Sequence, residues 1–224
     1  MSDHVAVQTV DTRDMNTVHT FFRREFRLVG GVIREVPDGD VDRARVVADH
    51  LDYLGRSLHH HHTAEDELAW PLLLQRVPEE LAPIVELMES QHERVDGLLG
   101  EIAEISPVWR ASAAGADRDR LADRCDTLYA HLAEHLDAEE ERLLPIAART
   151  LTTEEWKAIG HRAKNSSPRA DLTLTFGMFM YEGDPAVLAG MLADAPPPVR
   201  WLVPRLARRA FRRHALQIHG TATP

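Results

Sequence analysis

Apolar residues recur at alternating steps of three and four along the first two thirds of the chain. Met15, His19, Phe22, Phe26, Val29 and Ile33 make one such series, and Leu51, Leu54, Leu58, His61, Glu65, Leu68 and Leu72 a second. Leu81, Val85, Met88, His92, Val95, Leu99 and Ile102 make a third, and Leu121, Cys125, Leu128, Leu132, His135, Glu139 and Leu143 a fourth. Steps of three and four keep side chains on one face of an α-helix, the face that packs inward. Breakers separate the series: PDGD at 37–40, Pro78, and ASAAGAD at 111–117, with Pro145 near the end of the fourth. Short connections make successive helices antiparallel, so the expected fold is all-α, an up-down four-helix bundle. No alternating strand pattern of comparable strength is present.

Beyond about residue 150 the pattern changes. Thr152 with Glu155 three positions on is a capping-box pattern that opens another helix. KNSSPR at 164–169 reads as a loop, Asp184-Pro185 as a helix start, and APPP at 195–198 as a further break. The last helix, about 199–218, carries Arg205, Arg208, Arg209, Arg212 and Arg213 on one side, with Leu202, Leu206, Ala210 and Phe211 on or near the other. The expected organisation is a bundle over residues 12–149 and a helical extension over 150–224. The extension is expected to fold back on the bundle and limit access to its interior, burying LTLTFGMFMY at 172–181 and the Leu202/Leu206/Phe211 face, with the basic helix against the acidic bundle; the alternative is a partner- or membrane-facing arm carrying the arginine stripe.

Polar residues occupy inward positions in all four series: His19, His61 with Glu65, His92, and His135 with Glu139. A lone histidine on an apolar face is ordinarily a hydrogen-bonded core group, but here the substitution occurs in every helix. Antiparallel neighbours bring two residues level when they are equidistant from the connecting loop. His19 and His61 have their midpoint at residue 40, Glu65 and His92 at 78.5, and His92 and His135 at 113.5, each within or beside a breaker. Offsets of one or two positions amount to about 3 Å along a helix, so all six side chains fall in one layer.

The chain also repeats itself. HHTAEDELAWP at 61–71 and HLDAEEERLLP at 135–145 share a histidine, a glutamate four positions on and a proline six positions beyond that. The offset of 74 between these copies nearly equals the 73 between His19 and His92. The register selects Glu139 as the partner of Glu65, while Glu140 and Glu141 match Asp66 and Glu67. Buried carboxylates among imidazoles need neutralising, and metal ions do so. Histidine and glutamate at i and i+4 both reach one metal, and a carboxylate bridges two. Four histidines and two glutamates exceed a four-coordinate structural zinc, and a thiolate-free set suits iron, with manganese or mixed metals as alternatives. The paired Glu-x-x-His motifs of ferritin-like bundles are absent; that spacing occurs once on these faces, from Glu89 to His92.

VHTFFRREF around His19, HHTAEDELAWP around His61 and Glu65, SQHERVDGLL around His92 and HLDAEEERLLP around His135 and Glu139 resemble the hemerythrin-like, or HHE cation-binding, family over residues about 12–149. The resemblance implies a non-haem di-iron centre bridged by Glu65 and Glu139, with His19 and His61 serving one iron and His92 and His135 the other. Oxygen-carrying members have a second histidine on the third helix, where Met88 and Asp96 flank His92 here, and their fourth-helix carboxylate is spaced differently. That place is either left open or filled by a substitute, for which His62, His131 and Asp96 are the candidates; His59 and His60 are expected at the surface or behind the ligands. The function expected is binding of, or reaction with, a small ligand such as oxygen, peroxide or nitric oxide. The alternatives are a di-iron oxidase or oxygenase acting on an organic substrate, and an iron sensor.

Charge and composition narrow this further. With 26 Lys and Arg against 36 Asp and Glu, the net charge is −10, which argues against a nucleic-acid partner. One cysteine, Cys125, forms no internal disulfide and points to a reducing, cytoplasmic compartment. The N-terminal stretch has no apolar segment of secretory type, so no leader is expected. The longest apolar run, 172–181, is too short to span a bilayer.

Overall fold

The computed structural model describes residues 9–224; the leaderless reading falls largely on residues 1–8, outside the described residues. The chain is all-helical, with no strand among the described residues. Four long helices carry the inward series: α1 (Arg13–Arg34), α2 (Val41–Ala64), α4 (Pro78–Ser112) and α5 (Gly115–Ala138). Each packs against two of the others, α1 on α2 and α5, and α4 on α2 and α5, closing a ring. Between α2 and α4 lies the short α3 (Trp70–Arg76), and α6 (Leu144–Thr150) follows α5.

Local chemistry places the ends. Asp40 caps α2 by accepting from the Arg43 N–H at 3.0 Å. Arg34 lies in the last turn of α1, where a cation meets the negative end of the helix dipole. The two hairpin loops meet at one end of the ring. The Gly39 N–H donates to the Ala113 carbonyl at 3.0 Å, and the Gly115 N–H donates to Asp38 Oδ1 at 2.7 Å. At the other end the Val10 N–H donates to the Ala148 carbonyl at 2.7 Å.

The helices departing from α2 and α5 do so through two π-helical turns, Glu65–Ala69 and Glu139–Leu143. Each is followed by a proline, Pro71 and Pro145, one residue into the next helix. A proline ring there would clash with the carbonyl four residues back, on Glu67 or Glu141, and has no N–H to donate to it. Widening the turn relieves this: the Trp70 N–H reaches back five residues to the Glu65 carbonyl, and the Leu144 N–H to that of Glu139. The extra residue slips the register after Glu65. The uniform period expected Leu68 and Leu72 inside, whereas Ala69, Trp70 and Leu73 are buried and the two leucines are half-buried.

Two apolar cores result. One, built around Phe21, Phe22, Phe26, Leu54, Trp109 and Leu128, lies toward the hairpin loops. The other, around Trp70, Leu73, Leu81, Met88, Leu143 and Trp156, lies toward the π-turns. The inward histidines and glutamates belong to neither.

After residue 150 come α7 (Thr153–Ser166), α8 (Arg169–Glu182), α9 (Pro185–Met191) and α10 (Pro197–His219). The Thr152/Glu155 capping box and the Asp184 cap form as expected, while the 164–169 loop contracts to Ser167 and Pro168. α7 lies on α2, α8 and α9 on α1, and α10 on α8 with a lighter contact to α2. The Leu202/Leu206/Phe211 face is not buried as a unit. The inward face of α10 is Ala207, Phe211, Ala215 and Ile218, again spaced by three and four, which leaves Leu202 45 % and Leu206 46 % exposed. The five arginines are exposed and form no ion pair with the acidic bundle among the described residues. No described helix is long and apolar enough to cross a membrane.

Gly177 sits where α8 crosses α10: a Cβ there would run into the Ala207 carbonyl oxygen. Gly177→Ala is therefore expected to destabilise the protein by about 1–3 kcal/mol. Gly97→Ala, whose Cβ meets nothing within 4 Å, is expected to stabilise α4 by about 0.5–1 kcal/mol. Urea midpoints of the two variants check both signs.

Candidate metal centre

Between the two cores lies a layer of seven buried polar side chains. His19 comes from α1, His61 and His62 from the last turn of α2, His92 from α4 and His135 from α5; Glu65 and Glu139 each open a π-turn. None is more than 7 % exposed. Their donor atoms form two groups that could each hold a metal ion: His19, His61, Glu65 and Glu139, and His62, His92 and His135, with all donors in a group within 4.8 Å of one another. Glu139 touches both groups, its Oε2 lying 3.3 Å from His19 Nε2 and 3.8 Å from His135 Nε2. Glu65 Oε1 is 3.4 Å from His61 Nε2, and the His92 and His135 Nε2 atoms are 3.2 Å apart.

The layer is not satisfied by the protein itself. His19 Nε2, His61 Nε2, both nitrogens of His62 and all four carboxylate oxygens of Glu65 and Glu139 are buried with no hydrogen-bond partner. Orphaned buried polar atoms are rare and costly. The proton positions sharpen the point. His92 Nδ1 donates to Asp66 Oδ1 at 3.0 Å and His135 Nδ1 to Gln91 Oε1 at 3.4 Å. A neutral ring that donates from Nδ1 presents a bare lone pair at Nε2, so two lone pairs face each other. A cation between them removes the conflict. The donors are imidazole and carboxylate without thiolate: Cys125 is buried in the apolar core, where burial pushes its thiol up to about 12. The residues present therefore fit a metal centre.

A family model, the hemerythrin HHE cation binding domain, matches residues 10–147. The chain belongs to this family. No curated protein and no solved structure gave a match. Every residue of the polar layer lies inside the HHE domain, and α7 to α10 lie outside it.

A ring of partners surrounds the layer. His19 Nδ1 donates to Glu140 Oε1 at 2.8 Å, and Glu140 is held by the Arg23 guanidinium at 2.6 Å. Asp66, which accepts from His92, is held by the Trp70 indole N–H at 2.7 Å. Asp66 and Glu140 are the residues directly after Glu65 and Glu139, so the two halves of the HHE domain use equivalent acids to orient equivalent histidines, each across to the other hairpin. Such carboxylates fix the tautomer of a metal-binding histidine and raise its basicity. Their signal in the sequence is the acid that directly follows the glutamate in both repeats, Asp66 and Glu140.

Of the remaining candidates, His62 stacks on His92 at 4.0 Å and belongs to the second group. His131 is half-buried outside both groups, its Nδ1 3.8 Å from Glu134. Asp96 is exposed and lines a groove beside His92. His59 is exposed, and His60 is half-buried near Ser167.

Burial governs the charge states. It holds His61 and His62 well below the usual histidine range and His135 at about 4, which keeps their lone pairs free for a metal. Burial also acts on His19, but Glu139 and Glu140 outweigh it and raise its pKa. Burial, reinforced by Glu139, pushes Glu65 well above the carboxylate range; on Glu139 the surrounding His19, His135 and His61 reverse that push and lower it. Folding thus costs Glu65 its ionisation when no metal is bound. Because the folded state holds that proton more tightly, stability from this group falls as pH rises above the ordinary glutamate range. Glu65→Gln removes the effect. Metal-free Glu65→Gln is expected to gain on metal-free wild type from about pH 5 upward, by at most about 1.4 kcal/mol per pH unit. Urea denaturation across pH checks this, and a difference that does not widen with pH contradicts it.

Proposed function

We propose that the ring of four long helices is an up-down four-helix bundle holding a dinuclear iron centre that takes up a small ligand. In this reading His19 and His61 would hold one iron and His62, His92 and His135 the other, with Glu65 and Glu139 available to both. His62 fills the place left by the histidine missing from α4. The observation that carries the reading is the pair of adjacent donor groups, with Glu139 of the first 3.8 Å from His135 of the second and both oxygens of both glutamates unpartnered. Two irons so held would supply redox-active Lewis acids able to bind oxygen, peroxide or nitric oxide; manganese suits the same donors.

The protein's own part is neutralisation, orientation and exclusion of water. Glu65 and Glu139 offset the metal charge. Glu140 and Asp66 fix the His19 and His92 rings through Nδ1. The Phe22 ring, 5.2 Å from that of His61, closes one side against water. Access favours a small ligand over an organic substrate. A surface groove of about 340 Å³ lined by Asp66, Trp70, Glu89, Glu93 and Asp96 reaches His92, but neither Glu65 nor Glu139 lines it. Its acidic walls suit entry of metal cations better than binding of an anionic substrate.

Metal analysis of protein expressed in iron-replete medium is expected to give about two irons per chain. Glu65→Ala, Glu139→Ala and His62→Ala should each lose at least one, and His59→Ala should keep both. One tightly held zinc without iron in the wild type, or full loading of His62→Ala, overturns the assignment.

A further inference from the structure

Away from the metal layer, the structure assembles a second cluster of buried imidazoles around a carboxylate. Glu25 on α1, His50 on α2 and His219 in the last turn of α10 each place a donor atom within 4.8 Å of the others. The Glu25 and His50 side chains are fully buried and that of His219 is 6 % exposed. Glu25 Oε2 lies 3.3 Å from His50 Nε2 and 3.3 Å from His219 Nε2. His50 Nε2 is nonetheless without a hydrogen-bond partner: the carboxylate is near it but off its donor direction.

The other polar atoms around this point are engaged in the way that ligands to a metal are held. Glu25 Oε1 accepts from Arg24 Nε at 2.7 Å, and His50 Nδ1 is 3.0 Å from His214 Nε2. With the His50 Nδ1 proton directed at His214 Nε2, the His50 Nε2 lone pair is left facing the Glu25 carboxylate. Zinc–nitrogen and zinc–oxygen bonds of about 2.0–2.1 Å set tetrahedral edges of about 3.3 Å, the spacing of the two carboxylate–imidazole edges here. Charge agrees. Arg24 is shared between Glu25 and Glu182, at 2.7 and 2.5 Å, which leaves two carboxylates against one guanidinium.

We infer that Glu25, His50 and His219 form a mononuclear divalent-metal site of zinc type, separate from the bundle centre, which fastens the C-terminal helix to α1 and α2. Two imidazoles and one carboxylate are a zinc donor set, with water for the fourth position. α10 otherwise packs chiefly on α8, and the metal would join its last turn directly to the ring. The turn is already positioned for this. The Arg43 guanidinium on α2 donates to the carbonyls of Gln217 and Ile218, both at 2.5 Å, and Gly220, at φ 69°, ends the helix one residue after His219. Glu25 and His50 lie within the residues matched to the HHE domain and His219 beyond them, so the site is complete only when the extension is folded onto the ring.

The test uses the full-length, iron-loaded protein equilibrated with zinc ion in a competing chelator, with iron and zinc counted per chain. The expected result is one zinc in addition to the bundle iron. That zinc should be lost in His219→Gln and in Glu25→Gln with the iron content unchanged, and zinc should raise the melting temperature of the wild type but not of either variant. No zinc uptake by the wild type, or uptake retained in His219→Gln, overturns the proposal. So does a variant that loses stability with unchanged metal content, which would mark the cluster as a hydrogen-bonded clamp alone. If Glu25→Gln fails to fold, His219→Gln, altered only in the last helical turn, decides. A different iron count in the bundle leaves the test intact, because the reading is the difference between wild type and variant at fixed iron content.

Discussion

The structure depends on a layer of charge that the polypeptide cannot neutralise by itself. Two glutamates and five histidines occupy the middle of a four-helix ring, with apolar cores on either side and almost no water-accessible surface. Burying ionisable groups without partners opposes folding, and without a metal the layer is tolerated only with Glu65 protonated and three of its histidines held neutral. A cation held between the two donor groups would relieve that cost. The two apolar cores supply the folding energy, and the layer between them determines which side chains face which.

The π-turns are the local device that makes the layer possible. Each begins at a glutamate and ends just before a proline, so the repeat of histidine, glutamate and proline specifies backbone shape as well as side-chain spacing. Widening the helix at Glu65 and Glu139 turns the following residues by one position. Asp66 and Glu140 are then able to reach across to His92 and His19 on the opposite hairpin. A regular α-helix would instead set the Pro71 and Pro145 rings against the Glu67 and Glu141 carbonyls. The pseudo-two-fold arrangement follows from duplication of the hairpin: the same local sequence, placed twice, orients one histidine in each half.

The helices after residue 150 tie back to the ring through polar contacts of a different kind. The Trp156 indole donates to Asp14, Arg162 pairs with Glu67 beside the first π-turn, and Arg24 reaches from α1 to Glu182. These contacts lie along the outside of α1 and α2, the two helices that bring His19, His61, His62 and Glu65 to the layer. The extension therefore braces that half of the centre, while α4 and α5 brace the other half through their own packing.

The sequence by itself determined the helices and the identity of the central residues, because both depend on short-range periodicity. Steps of three and four mark an inward face whatever lies opposite, and loop midpoints set the height of a residue in an antiparallel pair. His19, His61, Glu65, His92, His135 and Glu139 were legible for that reason. The tertiary structure decided the rest. It brought in His62 and left His131 and Asp96 outside, because the inward face is broad enough for two adjacent histidines and only packing decides which rings fit. It exposed Leu202 and Leu206, since an amphipathic helix with apolar residues on more than one side buries the side its neighbour contacts. And it joined Glu25, His50 and His219, which no periodic pattern links, because residues nearly two hundred positions apart meet only when the chain folds back on itself.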